Sequence, residues 1–455
     1  MRWVLILTLL LGLALVLQAG LVAYAGYVVL GSYLLSRWLS RRWIEDLTAL
    51  RRCESQPREV GESLEVVVQL RHVGHWPILW VLVEDLIPEE YWRQRPPAVQ
   101  IQGSRLHVVS LWPGQERILR YRVTFLRRGY YPVGPTLLES GDVFGLHRRF
   151  RIVGPPTYIM VLPRIVPLQR YDFVSRRPIG ETRLHQRLFE DPSRTAGVRE
   201  YQTGDPLSRV HWKVTARMGQ LHCRVYEPTS LAGATLLLDF SQASYPARSE
   251  PHRSELAITT AASLAYALSL LKQPLGLVSN GRDAAARIRA ASQQPAHSPA
   301  EGEQDRDRLH EQYGLGPAEE RLQPVVIETR RGVDQGIRVR ETLARLELND
   351  GLSLAATVSW MAPRLPRDAT VVAILPQVSV ETAIALGMLR RLGFAVSVLL
   401  ILPEPVHLWE AAGRLTAEGI HDVRSIASEA DLMHGGQPVG ASGGPSPYTL
   451  DIPIA

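Results

Sequence analysis

The hydrophobic pattern changes period along the chain, and each change marks a different kind of structure. Residues 3–36, WVLILTLLLGLALVLQAGLVAYAGYVVLGSYLLS, carry no charge. As one helix they would reach about 51 Å at about 1.5 Å per residue, well beyond a hydrocarbon core of about 30 Å. A hairpin turning near Gln18-Ala19-Gly20 fits that length better, so residues 1–40 are read as a transmembrane helical hairpin. A cleaved signal peptide ending at Ala19 fits poorly, because a second apolar run follows at once.

From about residue 58 the period falls to two. SLEVVVQLRHVG and ILRYRVTFLRRG alternate strand-forming and polar residues, and WPILWVLVEDLIP is a more continuous apolar strand. Punctuation at Gly61, Gly74, Pro88, Pro113-Gly114 and Gly134-Pro135 predicts a β-sandwich-like domain over 58–160. Within it, RRGYYPVGPTLLESGDVFGLHRRF (127–150) reads as turns and a corner held by Tyr130, Tyr131 and Phe144. Residues 161–232 form a connecting segment. Over 233–430 apolar strands alternate with helical runs, which predicts an α/β domain with a mostly parallel sheet and helices on both faces. Within that domain 281–324 reads as a flexible insertion, and 431–455 as a disordered Gly/Pro/Ser-rich tail.

Composition refines this picture. At 455 residues, two or three domains are expected. The net charge is +6, but the lysines are Lys213 and Lys272 alone and the arginines are scattered, so no nucleic-acid partner is indicated. Arg2 precedes the apolar run, and Arg37, Arg41, Arg42, Arg51 and Arg52 follow it. The positive-inside rule then places both ends of the hairpin in the cytoplasm, so the expected location is the plasma (inner) membrane with the bulk of the chain cytoplasmic. Two cysteines, Cys53 and Cys223, give no disulfide framework and fit a reducing compartment.

The densest chemistry lies in GVREYQTGDPLSRVHWKVTARMGQLHCRVYEP, residues 197–228. Asp205 as N-cap and Pro206 at the first position predict a helix that runs to Met218 and stops at Gly219. On it Arg209, Lys213 and Arg217 would share a face, Val210, Val214 and Met218 an apolar stripe, and Trp212 the rim. Three aligned cations need negative charge opposite them. Pairing with Glu190, Asp191, Glu200 or Glu227 would clamp the β-domain onto the sheet domain. Exposed, the same face would dock on an acidic partner surface, and a phosphate or nucleic-acid site is a third use. Ser208 and His211 lack a partnered acid or oxyanion donor, so no catalytic residues are assigned and the chain is not expected to be an enzyme.

The strand GATLLLDFSQAS ends in Asp239, with Ser241 beside it, at the carboxyl edge where such sheets bind ligands. It resembles the Asp-x-Ser-x-Ser opening of the von Willebrand factor A fold, whose carboxylate and hydroxyls help hold a divalent cation, usually Mg²⁺. Here Ala243 replaces the last serine and Ser244 follows one place late. Pro376-Gln377 stands where that fold usually supplies a second aspartate. The resemblance thus implies a degenerate Mg²⁺ site on Asp239 and Ser241, or an inherited sheet edge without metal.

The 197–228 stretch resembles the bacterial family called domain of unknown function 58. The family motif falls on Arg199, Tyr201, Gly204, Asp205, Arg209, Val210, Trp212, Lys213, Ala216 and Arg217. RRGYYPVGP with GDVFGLHRRF is similar to the family's upstream signature, with Val143 where proline is usual. The resemblance covers about residues 1–430. It implies a von Willebrand factor A-like domain in a non-enzymatic, membrane-anchored adaptor or scaffold that works with a MoxR-type AAA+ ATPase. The alternative is a Mg²⁺-dependent protein-ligand binding module of the von Willebrand factor A type.

Overall fold

The computed structural model describes Gly12 and residues 20–142, 147–168, 190–201, 210–228, 233–293, 323–366 and 369–439. A helix, Gly20–Glu45, covers the second half of the apolar run and continues past it through Arg37, Arg41 and Arg42. Arg41 and Glu45 pair one turn apart at 3.0 Å, which supports this last stretch. Ser36, Ser40, Trp43 and Ile44 are buried on one side of the helix. Trp43 and Ile44 enter a core with Leu47, Val68, Leu70, Val81 and Leu138. Among the described residues no helix is long and apolar enough to cross a membrane. The expected hairpin is therefore not supported: its second arm is a helix whose charged end is committed to the β-domain, and its first arm lies outside the described residues apart from Gly12.

The β-domain begins at Leu47, earlier than the sequence pattern indicated. One sheet orders Leu47–Arg52, Ser63–His72, Glu116–Phe125 and Val99–Gln102, and a second orders Arg148–Val153, Thr136–Gly141, Ile78–Asp85 and Leu106–Leu111. A third sheet of three short strands, Arg58–Glu59, Thr157–Leu162 and Gly129–Val133, closes one end. Alternation sets the faces. In Ser63–His72 the residues Leu64, Val66, Val68 and Leu70 are buried while Ser63, Glu65 and Arg71 face out. Each such aliphatic side chain contributes about 1.5–3 kcal/mol by leaving water. Thr136–Gly141 is buried throughout, so its polar groups need partners. Ser140 Oγ donates to Trp80 O at 2.8 Å, and Thr136 Oγ1 donates to the buried Asp85 carboxylate, which Tyr121 OH also reaches at 2.8 Å.

The α/β domain is built on one sheet, whose strands in chain order are β1 (Ala234–Leu238), β2 (Leu275–Ser279), β3 (Val325–Arg330), β4 (Thr370–Leu375), β5 (Val396–Ile401), β6 (Val423–Ile426) and β7 (Gln437–Pro438). Their spatial order is β3-β2-β1-β4-β5-β6-β7, with β3 and β7 antiparallel to the rest. This is a doubly wound sheet whose topological switch lies between β1 and β4. Period two again divides the strands. Leu236 and Leu238 pack with helices His252–Leu270 and Val333–Arg345 on one face, and Leu237 with Leu354–Met361, Val380–Arg391 and Pro405–Ala417 on the other.

Two expected loops are partly folded. Arg282–Asp283 pairs with Leu346–Glu347, and Ala284–Gln293 is a helix held by the two bonds of Arg287 to Glu347, both 2.9 Å. The flexible insertion therefore does not begin at 281, and its remainder, 294–322, lies outside the described residues. Likewise Glu429–Met433 is a helix capped by Ser428, and Gln437–Pro438 joins the sheet, so the tail does not begin at 431.

The sandwich meets the α/β domain through arginines of both units. Arg128, buried in the turn before Gly129, donates Nη1 to the carbonyls of Leu343 at 2.9 Å, Ala344 at 3.3 Å and Leu346 at 2.7 Å. These are the last carbonyls of helix Val333–Arg345 and the residue after it, which carry the negative end of the helix dipole. The guanidinium also lies 3.5 Å from Glu255 and over the Phe240 ring. Arg340 reaches Glu59 at 2.9 Å and the Pro163 carbonyl at 3.1 Å.

Candidate functional site

Two places carry the sequence-predicted chemistry: a β-ribbon arm between the domains and the carboxyl edge of the sheet. In the arm, Glu190–Glu200 pairs antiparallel with His222–Pro228, with Arg199 opposite Cys223 and Glu200 opposite His222. Val210 bridges to the same Cys223, and both side chains are buried. His211 N then donates to His222 O at 2.8 Å. The chain turns into a helix only at Trp212, with His211 Nδ1 accepting from Val214 N at 3.3 Å.

This shortens the expected helix. Its carboxyl end is as read: Met218 is last, and Gly219 takes φ +71, the left-handed conformation that a side chain would resist. Its start is not, because Val210 is used as strand. The Val210–Val214–Met218 stripe is absent as well, since Val210 is buried and Met218 exposed. Arg209 lies outside the described residues, as do Gly204, Asp205 and Ser208. Of Arg199 only the strand backbone is described, and Tyr201 is half-buried, its N–H donating to Leu221 O at 2.9 Å.

Lys213 and Arg217 stand one turn apart, both exposed, beside Trp212 at 66% exposure. Among the described residues neither cation has a carboxylate partner, whereas Arg128, Arg287 and Arg340 all do. The described ion pairs between the sandwich and the α/β domain are those of Arg128 and Arg340, and the candidate clamp through Arg209 lies outside the described residues. Arg287 pairs with Glu347 inside the α/β domain.

At the sheet edge, Asp239 follows β1 and is buried. Its Oδ1 accepts from Asn280 Nδ2 at 2.9 Å and Ser241 N at 3.2 Å, and its Oδ2 from Ser244 Oγ at 2.8 Å. Asn280, which follows β2, also accepts from Phe240 N at 2.6 Å. Burial pushes the Asp239 carboxyl above its ordinary value, while the bonds from Asn280, Ser244 and Ser241 pull it back. Across the switch point, Gln377 Nε2 donates to Ala243 O at 3.2 Å.

The residues present do not fit a divalent cation. Both Asp239 oxygens already accept protein donors, and Ser244, the displaced serine of the motif, donates to the carboxylate. The position after β4 offers Pro376 and an amide rather than a second negative charge. A hard cation wants six or more oxygens with carboxylates among them. Among the described residues no group of three or more His, Cys, Asp or Glu is placed to hold a metal. Asn280 is a site residue that sequence reasoning missed. A polar side chain just past an apolar strand, PLGLVSNG, was its available signal. Beside this edge opens a cleft lined by Arg248, Arg253, Gln377, Glu404, His407 and Arg414. Its charges are largely paired within the cleft: Arg248 with Glu404, and Arg414 with Glu410 at 3.5 Å.

Comparison with known proteins agrees with the motif. The chain is 25% identical over 275 residues to the uncharacterized protein YeaD of Bacillus subtilis (strain 168), which is 58% of this chain and 64% of YeaD; the chain thus spans less than two thirds of that relative. Among solved structures, the CARDB domain of PF1109 from Pyrococcus furiosus, solved with di-metal ions, is 18% identical over 26% of this chain and 88% of that one, with a TM-score of 0.17. A von Willebrand factor type A structure from Catenulispora acidiphila is 13% identical over 44% of this chain and 39% of that one, at 0.26. Scores this low carry no fold assignment; the strand order and register do. Residues 197–298 match the family described as Protein of unknown function DUF58. The motif register from Arg199 to Arg217 falls inside that match, so this part of the chain is similar to DUF58.

Proposed function

We propose that the chain is a non-enzymatic, membrane-anchored adaptor. On this reading the sandwich is a rigid spacer, the α/β domain a von Willebrand factor A-type platform, and the arm a docking element. The observation that carries it is the exposed helix Trp212–Met218, where among the described residues Lys213 and Arg217 have no carboxylate partner and Trp212 lies open. Aromatic and arginine side chains left open in this way are the usual anchors of protein interfaces. The family resemblance implies a MoxR-type AAA+ ATPase as the partner, with the ATP chemistry on that protein. Membrane anchorage is supported by the uncharged run 3–36 and the arginines that follow it. A non-catalytic role is supported by His211, which serves as a helix cap rather than as a base. The Mg²⁺-dependent alternative has less support, because both Asp239 oxygens already accept protein donors.

The test is retention of the purified MoxR-type ATPase of the same organism on the immobilised full chain. Wild type should retain it, and Lys213→Glu/Arg217→Glu should not. Equal retention by both proteins would remove the docking role from this helix.

A further inference from the structure

The sandwich has two ends. One carries Arg128 and Glu59 and joins the α/β domain; the other meets the amino-terminal helix. At the helix end, large apolar side chains are left uncovered: Trp76 is 55% and Trp112 67% exposed, with Val73 and Val108 also open. Contiguous apolar surface of this kind is uncommon on soluble monomers and marks an interaction site.

Backbone pairing brings these side chains together. Trp76 lies in the turn between Ser63–His72 and Ile78–Asp85, and Trp112 directly follows Leu106–Leu111. Ile78 pairs with Leu111, and His72 N donates to Gln115 O at 3.1 Å, so the two turns are neighbours. The Trp76 ring meets Trp38 of the helix edge-on, centroids 5.8 Å apart, and the Arg42 guanidinium lies 5.9 Å from the Trp38 ring. On another flank of the helix, His147 contacts Ser36 Oγ at 2.8 Å and the Tyr33 ring at 4.9 Å.

These contacts fix a depth. The uncharged run ends at Ser36, Arg37 follows, and Trp38 comes next. Tryptophan is favoured at the headgroup level, where an apolar ring body meets water through its N–H. With the run in the bilayer, Trp38 sits at that level, and its contact with Trp76 holds Trp76 there too. Arg37, Arg41 and Arg42 are exposed at the same height, which suits anionic headgroups.

We infer that this end of the sandwich is a second membrane contact: Trp76 and Trp112 seat in the interfacial layer of an anionic bilayer. The inference rests on the membrane-anchored reading and adds a surface to it. Helix and turns together then fix the tilt of the sandwich. Strand Ser63–His72, ten residues at about 3.3 Å each, holds the far joint about 33 Å from the lipid.

The experiment reconstitutes the full chain into phosphatidylcholine/phosphatidylglycerol vesicles. In a Cys53→Ala/Cys223→Ala background, Trp76→Cys, Trp112→Cys and Gln94→Cys proteins carry an environment-sensitive fluorophore, and headgroup-level nitroxide lipid is the quencher. Flotation with the vesicles, with labels at 76 and 112 quenched several-fold more than the label at 94, is the expected result. Brominated-lipid quenching of the native tryptophans should also fall in Trp76→Phe/Trp112→Phe, which keeps both cysteines. Flotation with all three labels equally unquenched overturns the second contact and leaves the anchor standing. Failure to float overturns both. Labels shielded without lipid quenching mean that protein covers the surface, a second copy or a membrane partner, and also overturn the inference.

Discussion

Arg128 and Arg217 are both arginines in glycine- and aromatic-containing motifs, yet the fold treats them oppositely. Arg128 is sealed between domains against three carbonyls, Glu255 and the Phe240 ring. Arg217 lies on a seven-residue helix with no carboxylate among the described residues, beside the equally open Lys213. The difference is not in the side chain. A cation in a turn that faces another domain's helix end is desolvated and must be matched by that helix. A cation on a ribbon arm keeps its water and stays available. Joint and proposed docking face are thus built from arginines in opposite surroundings.

The comparison breaks most visibly at the joint. Arg128→Ala leaves Glu255 without its cation and three carbonyls without their donor, and the folded state should lose about 3–5 kcal/mol in chemical denaturation. A loss below about 1 kcal/mol would mean that the joint is held elsewhere. Next comes the sheet edge, where Asp239→Ala strands the donors of Asn280, Ser244 and Ser241 at a cost of about 1–3 kcal/mol. Millimolar Mg²⁺ should leave the wild-type melting temperature unchanged. A Mg²⁺-dependent rise that Asp239→Ala abolishes would restore the cation site.

A smaller effect follows from the raised Asp239 carboxyl. Above the unfolded-state value of about 3.9, the folded protein holds this proton longer than the unfolded chain does. Its stability contribution therefore falls as pH rises through that window and stays lost beyond the folded value. Asp239→Asn has no such slope, so wild-type stability measured against this variant should decline from about pH 4 upward and then level off. A flat difference would mean that the hydrogen bonds cancel burial, and a rise with pH that they outweigh it. Smallest of all are Lys213→Ala and Arg217→Ala, each expected to shift stability by less than about 0.5 kcal/mol. A larger loss would turn the docking face into a second clamp.

What the sequence disclosed follows from how local each feature is. The alternation in Ser63–His72, the apolar strand ending at Leu238 and the glycine stop at Gly219 depend on neighbours a few residues away, and all three are in place. The Arg128 contacts span 215 to 218 residues, and nothing near Arg128 announces them. Helix Ala284–Gln293 resembled a polar, Ala-rich linker because its anchor, Glu347, lies 60 residues on. Val210 satisfied a helical spacing yet pairs as strand with Cys223, since the ribbon needed an apolar residue there more than the helix did. At the sheet edge, Asp239 was legible from the strand that delivers it, but its protein donors were not, because Asn280 arrives from the neighbouring strand and Ser244 from a turn.

The central claim is that the arm's cations are free for a partner while the joint's are not. Its most direct measurement is the association rate of the full chain with the MoxR-type ATPase across a salt series, wild type beside Lys213→Ala/Arg217→Ala. Two charges removed from a docking face should slow association about tenfold at low salt and flatten its salt dependence, with the melting temperature unchanged. Equal rates and equal salt slopes for the two proteins would contradict the account.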